Sequence, residues 1–188
     1  MREEMRFEIK EIQKSLGITI LYVTHDQEIA LALSDDIAIM DENGSIIQIG
    51  SPVEIFEKPA NDFIFKFLGV SNFLPVQKSG GDLIVGTQKM VADNRPTIDS
   101  DKFAAAFRPS DVYITRTGEG LKGKVVRHSF LGAITDYLID VEGKIIRTQI
   151  DTYTAINDDL ILKEGEECVL HFHTVTWFDK NTLDKEAV

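Results

Sequence analysis

Apolar residues Met1, Met5, Ile9, Ile12 and Leu16 recur at spacings of three and four, the stripe a helix presents on one face, and Gly17 ends it. No Ser, Thr, Asp or Asn precedes that stripe as a cap. The chain is therefore expected to begin within an element, either as a piece of a longer protein or as a natural terminus that frays. In residues 18–23 only Thr19 and Tyr22 carry polar atoms. A run apolar on both faces predicts a strand covered on both sides, as in a parallel sheet. Thr24 and Gln27 have capping-box spacing, with Asp26 placed for the positive end of a helix dipole and a short helix running to Leu33. His25 thus falls where a central strand gives way to a helix, the edge at which open α/β sheets bind ligands, although a lone histidine in a turn is more often structural.

Residues 36–40 and 45–49 read as a hairpin through Asn43 and Gly44, both of which tolerate positive φ. Ser51, Pro52 and Glu54 mark a helix start, which Lys58 and Pro59 stop. Asn61 caps a further helix with Phe63, Ile64, Phe67 and Leu68 as its apolar, core-facing positions and Gly69 as its stop. From Val70 the pattern changes to short β-like runs broken by Gly, Asp and Asn. The spacing predicts strands at 83–85, 103–107, 112–115, 122–127, 134–140, 144–150 and 168–174, with Glu142 and Gly143 as a tight turn. With no long helix between them, these runs suit a small closed or sandwiched β domain.

Composition narrows the function. A chain of 188 residues, 43% hydrophobic and 27% charged, can bury one or two small cores. The net charge of -11 and the lack of a Lys/Arg cluster argue against nucleic acid, since phosphate recognition needs clustered cations. No apolar stretch approaches the roughly 20 residues that span a bilayer, and the N-terminus lacks the apolar core of a signal peptide. Direct membrane insertion is not expected. Cys168, the single cysteine, has no internal disulfide partner, which suits a cytoplasmic setting. His171 and His173 alternate on a strand, but two ligands do not make a metal site, and a partly exposed strand face is the default. Trp177 and Phe178 read as packed aromatics or as part of a subunit interface.

The run ILYVTHDQEIALALSDDIAIMDENGSIIQIGSPVEIFEKPANDFIFKFLG resembles the end of the nucleotide-binding domain of ABC importer ATPases, in the subfamily serving maltose, polyamines, ferric iron, sulfate and phosphonates. YVTHDQ, the paired SDD, the NG hairpin and GSPVEIFEKPAN stand in the family's order and spacing. Phe107, Arg108 and Pro109, with Leu131 and Gly132 later, resemble the transport-associated OB (TOBE) domain that follows it. The resemblance implies an α/β remnant of a nucleotide-binding domain at 1–70 and an all-β OB-like barrel at 71–188, α+β overall. It implies that His25 is the switch-region residue contacting the γ-phosphate of ATP, a catalytic and cofactor-binding role. It also implies ATP and Mg as cofactors of the complete protein, a homodimer, permease subunits as partners, and a cytoplasmic place on the inner face of the membrane.

The sequence departs from that family in holding no G-x-x-x-x-G-K-[S/T] loop, no LSGGQ-like signature and no apolar strand ending in Asp-Glu. In the family these lie upstream of the matched region. Phosphoryl transfer works by positioning and charge stabilisation, so one histidine without cradle or metal ligand is expected to leave this chain inactive by itself, with no bound nucleotide. The expected role is regulation and dimer contact within an import ATPase. The rival is a solute-sensing or protein-binding regulatory module with no catalysis.

Overall fold

The computed structural model describes residues 2–180, with side chains from residue 8 onward, so Met1 and the side chain of Met5 lie outside the described residues. The chain divides into two compact units, Met1–Gly69 and Val70–Val188.

In the first unit, α1 spans Arg2–Leu16 and closes on Gly17, whose φ of +60° lets its N–H reach back to the Lys14 carbonyl. Residues 18–23 depart from expectation. They form no strand, and Leu21 and Val23 are 90% and 86% exposed. A strand apolar on both faces needs a hydrogen-bonding neighbour at each edge and a layer on each side, and among the described residues none pairs with it. The expected α/β remnant of a nucleotide-binding domain is accordingly not evident. The cap also differs: the Asp26 carboxylate, not Thr24, accepts the Ile29 N–H of α2 (Gln27–Leu33), while Thr24 Oγ1 accepts the Asp26 N–H. A carboxylate next to the helix wins because it adds charge to the orphan amides.

Strands β1 (Ile37–Met40) and β2 (Ile46–Gly50) pair antiparallel. Of the Asn43-Gly44 pair only Gly44 takes positive φ, because Asp41 Oδ1 accepts the N–H groups of both Asn43 and Ser45 and builds a different turn. Helix α3 (Pro52–Glu57) is capped by Ser51 and α4 (Asp62–Phe67) by Asn61. Ile39, Ile55, Ile64 and Leu68 form this unit's small core. Gln48 ties the loop between α3 and α4 to β2, donating to the Lys58 carbonyl and accepting from the Ala60 N–H, each at 2.9 Å.

The second unit is mostly β, built from β3 (Asn72–Ser79), β4 (Asp82–Val85), β5 (Gln88–Met90), β6 (Lys102–Phe107), β7 (Val112–Thr115), β8 (Leu121–Phe130), β9 (Ile134–Val141), β10 (Lys144–Asp151), a short helix α5 (Thr152–Asn157), β11 (Glu167–Phe172) and β12 (Thr176–Asp179). One antiparallel sheet has the order β10-β9-β8-β11-β7, the other β12-β6-β3-β4-β5. Inward-facing residues of both, Phe103, Phe107, Leu121, Tyr137, Ile139 and Phe172 among them, fill a single core. The arrangement is barrel-like. Every run expected from residue 83 onward contains a strand, although the last, expected at 168–174, stops at Phe172 short of His173 and Thr174; β3, β5 and β12 were not expected. In β3, Pro75 masks the alternation; it is tolerated because β4 pairs only with residues 77–79, leaving no ladder partner at Pro75 on that side. Glu142 and Gly143 both take positive φ, as the hairpin between β9 and β10 requires.

Phe107, Arg108 and Pro109 form the corner where the chain crosses from one sheet to the other. Phe107 packs edge-on to Phe172, with ring centroids 4.9 Å apart. The Arg108 N–H donates to Asp111 Oδ2, and the Asp111 N–H returns a bond to the Arg108 carbonyl through a 3-10 turn.

Candidate functional site

His25 sits exposed in the turn entering α2, held in place from both sides by the Thr24 and Asp26 contacts rather than by bonds of its own ring. Among the described residues no group of three or more His, Cys, Asp or Glu is placed to hold a metal ion. The residues present therefore do not fit an ATP–magnesium pair by themselves: one imidazole offers a hydrogen-bond donor, and cradle and metal ligands must come from elsewhere.

In the second unit the two sheets are clasped by side-chain amides that mimic a strand's backbone. Asn72 of β3 donates to the Arg147 carbonyl at 2.9 Å and accepts the Arg147 N–H at 2.8 Å, joining β3 to β10. Gln88 of β5 does the same with Lys122 of β8, at 3.1 and 2.7 Å. Asn94 does so with Val175, at 2.6 and 2.9 Å. These residues escaped the sequence reading. Their only signal is an isolated amide in or beside a strand, which names no partner.

The Gln88 clasp forms one wall of an open polar groove of about 600 Å3 that Lys89, Lys122, Thr87, Glu119 and Glu142 also line. Glu142 latches the β4–β5 turn: its carboxylate accepts from Thr87 Oγ1 at 2.5 Å and from the Thr87 N–H at 2.9 Å. Those two bonds hold its carboxyl below the ordinary value, the hydroxyl being the larger cause. Gly86 is required beneath the latch, since a Cβ there would lie 1.6 Å from Glu142 Oε2. Lys89 and Lys122 balance Glu119 and Glu142 in the lining, and Lys89 is also shared with Asp82 at 2.8 Å.

His171 and His173 both lie against the Tyr113 ring, at centroid distances of 5.1 and 5.2 Å. Each imidazole is already engaged, His171 Nε2 with Thr115 Oγ1 at 3.0 Å and His173 Nδ1 with Asp93 Oδ2 at 2.5 Å. Trp177 packs edge-on to Phe103 and Phe178 stacks with Phe73, so both aromatics are partly packed. Burial raises the Asp111 carboxyl pKa against the opposing Arg108 N–H bond, and it also lowers that of the Arg108 guanidinium. Burial pushes the Cys168 thiol up to about 11, leaving it a weak nucleophile. No helix among the described residues is long and apolar enough to cross a membrane.

Comparison with known proteins matches residues 105–177 to the TOBE domain. A spermidine/putrescine import ATP-binding protein of Nitratidesulfovibrio vulgaris is 33% identical over 95% of this chain and 50% of its own length. Ferric-ion import ATP-binding proteins of Rhizobium etli and Fusobacterium nucleatum are 37% and 36% identical over 76% and 90% of this chain, and 41% and 46% of theirs. The chain thus spans about half the length, or less, of the curated relatives it matches. Among solved structures, the molybdate-binding protein ModG aligns with 57% of this chain and 95% of its own at 15% identity and a TM-score of 0.44, too slight a likeness to bear on the reading.

Proposed function

Because this chain belongs to the ATP-binding subunits of ABC importers that carry a TOBE domain, we propose that its second unit is the regulatory part of an import ATPase and that two copies associate through it. Kinship running over 95% of the chain, with the TOBE match confined to the second unit, carries this reading. In the complete subunit, His25 supplies one hydrogen-bond donor to the terminal phosphate of ATP from its exposed turn, while residues outside this chain supply cradle and magnesium ligands. The permease subunits of the importer hold the assembly at the inner face of the membrane, so no span of its own is needed. By itself the chain hydrolyses no ATP and binds none at millimolar concentration.

Nucleotide titration followed by NMR tests the last point: shifts confined near His25 with a micromolar constant overturn it. In the complete subunit, His25→Ala is expected to lower ATP turnover by about 10²-fold, the value of one positioned donor. A loss under threefold makes His25 a structural residue. The polar groove beside Gln88 favours a second reading, in which the unit senses a small solute without chemistry. Calorimetry with ferric iron, molybdate, sulfate and polyamines separates the two, since a tight ligand among them selects the sensor.

A further inference from the structure

His25 reaches solvent from a turn whose backbone is fixed on both sides of it. Thr24 Oγ1 accepts the Asp26 N–H at 2.9 Å, closing a loop that spans the backbone torsions of His25 itself. One residue on, Asp26 Oδ1 accepts the Ile29 N–H at 3.0 Å and the Asp26 carbonyl accepts the Ala30 N–H at 3.1 Å. The closed turn is thereby tied to the first turn of α2. Helix α2 is seated in its own right by Leu31, which packs against the small core of Ile39, Ile55, Ile64 and Leu68. This line from core to helix to turn sets where the Cα–Cβ bond of His25 points. The Asp26 carboxylate also lays negative charge over the amide end of α2, so a phosphate is turned away from the helix and left to the imidazole beyond it.

We infer that Thr24 and Asp26 are positioning residues for His25, aiming its ring at the terminal phosphate without touching the nucleotide themselves. The inference rests on the reading of His25 as the phosphate donor given above. A donor that acts by position loses its effect when its direction is averaged over a looser turn, whereas nucleotide affinity, carried by the phosphate cradle, is left alone. Losing a capping acceptor shifts such a local equilibrium by roughly 2- to 30-fold. The fall in turnover therefore stays below the about 10²-fold expected from removing the ring.

ATP turnover by the complete subunit, read separately as kcat and KM, tests the inference. Asp26→Ala and Thr24→Val are each expected to lower kcat about 3- to 30-fold and to leave KM for ATP within about twofold of the parent. Asp26→Asn and Thr24→Ser keep the accepting oxygen and are expected to restore kcat. His25→Ala combined with Asp26→Ala is expected to be no slower than His25→Ala alone, because no ring is left to aim. If Asp26→Ala fails to fold, Thr24→Val and its serine counterpart carry the same comparison. Parent-like kcat in a folded single variant, a loss that the conservative replacement does not rescue, or a double variant slowed by the whole Asp26→Ala factor overturns the positioning role and leaves His25 in place. A loss under about threefold for His25→Ala overturns the phosphate-donor reading and the inference with it.

Discussion

Removing the Asn72 clasp measures how far the second unit depends on side chains that impersonate backbone. Asn72 is 8% exposed and makes two bonds to one residue 75 positions away, one in each direction. In Asn72→Ala both bonds go, and the Arg147 N–H and carbonyl lose their partners at a part-buried seam. Two net bonds at about 1 kcal/mol each, plus incomplete resolvation of the two groups left behind, give a loss of about 2–4 kcal/mol. For a domain of about 120 residues this lowers Tm by roughly 8–15 °C. Asn72→Asp distinguishes the bonds from mere packing. The introduced carboxylate still accepts the Arg147 N–H but faces the Arg147 carbonyl with a second acceptor, so it should be as damaging as alanine at pH 7. Protonation restores the donor. The variant's carboxyl pKa is therefore raised in the folded state, so its stability is recovered below the unfolded value near 4 and lost as pH rises through the folded one. Calorimetric melting at pH 7 and near pH 4 is the assay. A loss below about 0.5 kcal/mol for alanine, or an Asn72→Asp deficit that does not shrink at low pH, refutes the clasp as a stabilising element.

Gly123→Ala should cost about 1–3 kcal/mol in urea unfolding, because a Cβ there meets Ile139 Cγ2 at 2.5 Å and Val141 Cγ2 at 3.0 Å in the core. The Cys168 thiol, raised to about 11, should resist iodoacetamide in the folded chain at pH 8 and react fully in denaturant. Since its folded pKa lies above the unfolded one, its stabilising effect is complete below about pH 9 and lost as pH rises towards 11, at about 1.4 kcal/mol per pH unit relative to Cys168→Ala. Glu142, depressed by its Thr87 bonds, has the opposite sign: its contribution is present above the ordinary carboxylate pKa and lost on acidification. The melting difference between the parent chain and Glu142→Gln should therefore vanish at the lowest pH.

Features encoded within a few residues were legible from the sequence. Ser51 with Pro52, Asn61 before α4 and the positive-φ pair Glu142-Gly143 act through bonds spanning two to four positions, so local chemistry specifies them. The alternating runs from residue 103 to 150 likewise declared strands, because period-two burial is written in the side chains themselves. Long-range partnership was not legible. Residues 18–23 have the composition of a buried strand, but a strand exists only with neighbours at its edges, and the tertiary structure leaves that segment unpaired in any sheet and exposed. His25 could be placed at a helix entrance from its neighbours, whereas whether phosphate ligands surround it depends on residues far away in sequence. His171 and His173 read as alternating on one strand, but β11 stops at Phe172 and leaves His173 in the bend beyond it, and only the fold brought Tyr113, Thr115 and Asp93 against them. The amide clasps show the same division: Asn72 and Arg147 each look unremarkable alone, and only the closure of two sheets makes one the backbone partner of the other.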